Sequence, residues 1–142
     1  ILNPASGSLR YTCAGHPYPV LVEPDGSILE LGRGALPLGL RAEVSLTTAD
    51  AVIHPGGLLV LYSDGIPEAV DQAGRAFGWD RLHDLVRQGG TVHQMHRRLV
   101  EELDRHTAGE APTDDRSLMV LRRLAAGDPP PPPPPPPPAP ET

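Results

Sequence analysis

The chain has 142 residues, 39% hydrophobic and 21% charged, and its 12 basic and 18 acidic residues give a net charge of −6. With no basic stripe in that balance the electrostatic footprint of a nucleic-acid binder is missing, and a single cysteine rules out an internal disulfide framework. No uninterrupted apolar segment approaches the roughly 20 residues that span a bilayer, so the expectation is a soluble, cytoplasmic protein, its core mostly aliphatic because only one Phe, one Trp and three Tyr are available.

In chain order, Leu9 to Ala14, Val20 to Glu23 and Ile28 to Leu31 read as short strands, with turn chemistry at Pro24-Asp25-Gly26-Ser27. The three suggest an antiparallel meander, with Cys13 as a small core residue. Gly32, Gly34, Pro37 and Gly39 then break regular structure before a fourth expected strand, Val44 to Thr48. Pro55-Gly56-Gly57 introduces the apolar run Leu58 to Ser63, and Pro67 suits the first turn of a short helix at Pro67 to Val70.

Trp79, Leu82, Leu85 and Val86 recur at helical spacing, and Gly89-Gly90 supplies a stop. Thr91 with Gln94 resembles a capping box, and Val92, Met95, Leu99 and Leu103 form one stripe of a second helix. A last strand is expected at Ser117 to Leu121. Strands, two consecutive helices and a returning strand predict an α+β protein, its helices covering a mostly antiparallel sheet.

The chemistry concentrates at two acidic pairs. Asp64-Gly65 ends the first long apolar run, and Asp114-Asp115 stands just before the last strand. Carboxylates delivered by distant strands are the ligands that hard divalent cations take. Gly65 leaves room for close approach to the backbone. An Asp-Gly pair is also common in ordinary turns, but adjacent carboxylates repel, and a cation would offset that repulsion. His16 can act as a general acid, a metal ligand or a hydrogen-bonded turn residue. His93 and His96 lack acidic or cysteine neighbours at ligand spacing and read as surface residues. Ser63 has no Ser-His-Asp neighbourhood to make it a nucleophile, and Gly32 to Gly39 lack a phosphate-binding loop pattern.

Four segments in order, AGHPYPVLV from Ala14, LPLGL from Leu36, PGGLLVLYSDGIPEAVDQAGRAFG from Pro55 and DDRSLMVLR from Asp114, resemble the C-terminal half of a PPM-type metal-dependent protein phosphatase, in its SpoIIE/RsbU-like branch. The likeness runs over about residues 1–124. It implies a partial αββα sandwich and a two-metal Mn²⁺ or Mg²⁺ centre that activates water to hydrolyse phosphoserine or phosphothreonine. It further implies that Asp64 and Asp114 are metal ligands, that Asp115 supports them directly or through water, and that Gly65 gives phosphate access.

Partner switching of sigma factors is the implied setting, with a phosphorylated anti-sigma-factor antagonist as substrate. The family's earlier Asp-Gly motif has no counterpart here, so the chain, which starts at Ile1, reads as a piece of a longer polypeptide with weak metal binding and little turnover of its own. The other reading is a non-catalytic phosphatase-like interaction module. Residues 125–142 are expected to be a disordered tail whose ten prolines, Pro129 to Pro138, favour a polyproline II rod of roughly 30 Å. Such a rod serves as a solvated spacer or as a docking site for a proline-binding module.

Overall fold

The computed structural model describes residues 1–129. In it, strands β1 (Ser8–Tyr11), β2 (Cys13–Ala14), β3 (Val20–Val22), β4 (Ile28–Glu30), β5 (Gly34–Ala35), β6 (Ala49–Val52) and β7 (Leu58–Tyr62) precede helices α1 (Trp79–Arg87) and α2 (Val92–His106), and β8 (Leu118–Arg122) closes the fold. The main sheet has the order β4-β3-β7-β8 and is antiparallel throughout. β1 pairs antiparallel with β6, and β2 pairs parallel with β5.

Alternation along β3 and β7 explains the layering. Val20, Val22, Leu58, Val60 and Tyr62 face α1 and α2, where they meet Leu82, Val86, Met95, Leu99 and Leu103. Leu21 and Leu59 point the other way and pack with Leu9, Leu31 and Ile53. Because both faces are covered, β7 is apolar at every position instead of alternating. The result is a layer of helices, a sheet and a small β-ribbon, the α+β arrangement expected.

Both helices form where the apolar spacing places them. Thr91 caps α2: its hydroxyl accepts the Gln94 N–H at 3.2 Å, and the Gln94 side chain accepts the Thr91 N–H at 2.9 Å. Leu82 and Val86 are buried in α1, whereas Trp79, at its first position, is 43% exposed and rests its ring against Tyr62.

Three expectations need correction. The first three strands are no meander, since only β3 and β4 pair with each other while β1 and β2 find partners downstream. Val44 to Thr48 is loop, with Leu46 half exposed, and the strand starts at Ala49. Pro67 to Val70 is not a helix: one turn closes from the Glu68 N–H to the Asp64 carbonyl at 3.0 Å, and the Phe77 and Gly78 N–H groups then bond back to Ala69 and Pro67. β8 forms where a last strand is expected and, at the edge of the sheet, is only partly buried, with Met119 58% and Leu121 37% exposed. The proline run expected as a rod lies, from Pro130 onward, outside the described residues.

Candidate metal centre

β7 and β8 run antiparallel with Tyr62 opposite Leu118, so the residues after Tyr62 and those before Leu118 emerge at the same sheet end. This register brings Asp64-Gly65 and Asp114-Asp115, some 50 residues apart in sequence, side by side. The approach is close enough that a Cβ on Gly65 would collide with the Asp115 carbonyl oxygen and reach 3.5 Å from the Asp114 carbonyl carbon. Glycine is required there by space alone.

Ser63 fastens the two segments. Its N–H donates to the Ser117 carbonyl at 3.0 Å, its hydroxyl donates to the Asp115 carbonyl at 2.8 Å, and the Ser117 N–H donates to that hydroxyl at 2.9 Å. Sequence reasoning missed this role, having considered Ser63 only as a nucleophile. The available signal was a hydroxyl residue directly before Asp64, at the end of an apolar strand.

All three carboxylates are exposed. Asp64 Oδ1 accepts the Gly65 N–H at 3.0 Å, and Asp114 Oδ1 accepts the Asp115 N–H at 2.7 Å. Each bond orients a carboxylate and leaves its other oxygen outside it. Among the described residues, no Arg or His side chain forms an ion pair with any of the three. The donor set is all oxygen, which fits a hard divalent cation in kind. In number it falls short, since no group of three or more His, Cys, Asp or Glu side chains among the described residues is placed to hold a metal.

The histidines stand elsewhere. His16 is exposed, with Nδ1 3.0 Å from the Pro17 carbonyl, a turn arrangement. His93 and His96 are exposed on α2.

Residues 1–124 match the family model of stage II sporulation protein E. The chain belongs to the SpoIIE family. The RsbU and RsbW domains of Rv1364c from Mycobacterium tuberculosis superpose with a TM-score of 0.69 at 28% identity, over 87% of this chain and 35% of that one. The phosphatase domain of SpoIIE from Bacillus subtilis shares the fold, with a TM-score of 0.65 at 18% identity over 91% of this chain and 56% of its own. Protein IcfG of Synechocystis is 24% identical over 124 residues. The chain spans 20% of that curated relative's length. Membership of this family, with its phosphatase-type fold, bears out the resemblance carried by the four sequence segments.

Proposed function

We propose that the chain is the part of a metal-dependent protein serine/threonine phosphatase that carries Asp64 and Asp114 as cation ligands. The observation that carries this reading is the abutment of Gly65 against the Asp114-Asp115 backbone, which brings two acidic segments with exposed carboxylates to one sheet end. Asp64 and Asp114 would hold the ion through their free oxygens, with Asp115 supporting them. Gly65 lets the two acidic segments come into contact, and Ser63 fixes the distance between them. The chemistry that a bound Mn²⁺ or Mg²⁺ supplies is activation of water and offset of phosphoryl charge.

The substrate we favour is a phosphorylated protein of the partner-switching type, a setting supported by the pairing of RsbU and RsbW domains in the M. tuberculosis relative. The soluble, cytoplasmic placement belongs to the same proposal; among the described residues no helix is long and apolar enough to cross a membrane. The shortfall in ligand number favours a second reading, in which this segment is a non-catalytic, phosphatase-like interaction module.

Release of phosphate from a phosphoserine protein with Mn²⁺ separates the two. It should be measured for the 142-residue chain and for a longer polypeptide that adds the part of the relatives' fold this chain does not span. The proposal expects little turnover from the former, robust turnover from the latter, and loss of it in Asp64→Asn. Turnover unchanged by Asp64→Asn would reject the ligand assignment, and inactivity of the longer polypeptide would favour the module.

A further inference from the structure

Tyr18 and Trp79 are the exposed aromatic walls of an open groove of about 380 Å³, at which Glu30 and His16 also stand. Trp79 is 43% and Tyr18 38% exposed. Both rings are held in place. Trp79 rests on the buried Tyr62, with centroids 5.9 Å apart and planes tilted by 55°. Tyr18 lies over Gly32 and Gly34, where a Cβ would strike it, and its oxygen accepts the Gly34 N–H at 3.1 Å.

Glu30 brings the one carboxylate among the residues lining this groove, and no lysine or arginine lines it. It sits opposite Val20 in the β3–β4 register, and Val20 sits opposite Val60, so its half-exposed side chain shares the sheet face that packs on α1. Its one ion-pair candidate among the described residues is His83 Nε2, 3.5 Å away, and that nitrogen forms no hydrogen bond. A carboxylate without a firm partner, standing between aromatic faces and open to solvent, attracts a cation through charge and ring quadrupole together.

We infer that this groove binds an arginine side chain presented by another protein. A guanidinium is flat and weakly hydrated, stacks on an aromatic ring, and meets a carboxylate with two parallel hydrogen bonds. A lysine ammonium is a compact, strongly hydrated charge that cannot stack in this way, so at so open a site it gains less. A free amino acid fits less well than a peptide, because its own carboxylate meets Glu30 and finds no cation in the lining. The groove occupies the β4 side of the sheet end at which β7 delivers Asp64, whereas β8 and Asp114 lie at the opposite edge. The inference stands apart from any phosphatase activity and involves no metal.

Trp79 is the single tryptophan, so one indole N–H resonance reports one wall of the groove, and the Gly34 amide, bonded to Tyr18, reports the other. Both should be followed by NMR while a capped glycine-arginine-glycine peptide is added to the full chain. The two resonances should shift together and saturate in the millimolar range. The citrulline peptide, which keeps the planar shape without the charge, and the Glu30→Gln variant should each weaken binding about fivefold, the upper end for an exposed ion pair. Tyr18→Leu should weaken it as well, and because Glu30 is exposed, Glu30→Gln still gives a reading where Tyr18→Leu unfolds. The lysine peptide and free L-arginine should bind less tightly than the arginine peptide. The inference is overturned by unmoved indole and Gly34 resonances, by equal affinity for the citrulline peptide or in Glu30→Gln, or by lysine or free arginine binding at least as tightly. A response confined to the Asp64 and Asp114 amides also overturns it, because the acidic pairs would then be collecting the cation.

Discussion

Ser63 and Ser117 hold each other through two hydrogen bonds, the Ser63 N–H to the Ser117 carbonyl at 3.0 Å and the Ser117 N–H to the Ser63 hydroxyl at 2.9 Å. The same hydroxyl donates to Asp115, so one side chain ties both acidic segments to a common frame. Ser63→Ala leaves the Ser117 N–H and the Asp115 carbonyl to water and should cost about 0.5–1.5 kcal/mol. Ser63→Thr keeps the hydroxyl and should recover most of that loss. Chemical denaturation of the three proteins makes the comparison.

Gly65→Ala pushes a methyl group into the Asp115 carbonyl. Backbone is the obstacle, so relief requires the two acidic segments to separate, and a loss of about 1–3 kcal/mol is expected. Denaturation reads the energy. Amide chemical shifts of Asp114 and Asp115 should move more than those of α2, because the displacement is local.

Arg123 closes the other end of the sheet. Its guanidinium donates to the carbonyls of Ser6 at 2.6 Å, Ile53 at 2.9 Å and Ala5 at 3.0 Å, joining the N-terminal turn and the segment after β6 to the end of β8. Charged hydrogen bonds of this kind are worth about 1.5–3 kcal/mol, and Arg123→Ala should lower stability by about that much. Arg123→Lys should not restore it, because an ammonium lacks the planar fork that spans several acceptors.

Burial, with a smaller contribution from Glu30, pushes the Tyr62 phenol from 10.0 up to about 12. The folded value lies above the unfolded one, so the stability linked to this group is complete below about pH 10 and is lost as pH rises through about 12. Tyr62→Phe has no proton to lose. Across that window parent stability should fall more steeply than that of Tyr62→Phe, as measured by denaturation at stepped pH.

The elements legible in the sequence were those whose pattern is local. Leu58 to Tyr62 is an unbroken apolar run, Thr91 and Gln94 form their capping box, and the Met95, Leu99 and Leu103 stripe is buried. What failed was pairing over distance: β1 joins β6, and β2 joins β5 in parallel, which nothing in the segments themselves records. Val44 to Thr48 has the composition of a strand, yet it lies in a loop, and the pairing partner of β1 is found only from Ala49. At the site, meeting of the two acidic segments followed from their positions at strand ends. The Ser63 clamp did not, because it depends on register, and neither did the partial exposure of Trp79 beside Tyr62, because helical spacing gives a face and not a depth of burial.

Titration of Mn²⁺ into the chain, followed by the change in manganese electron spin resonance, tests the central claim most directly. The account predicts weak, saturable binding that disappears in both Asp64→Asn and Asp114→Asn while circular dichroism stays unchanged. Binding of equal strength in the parent and in Asp64→Asn would contradict it.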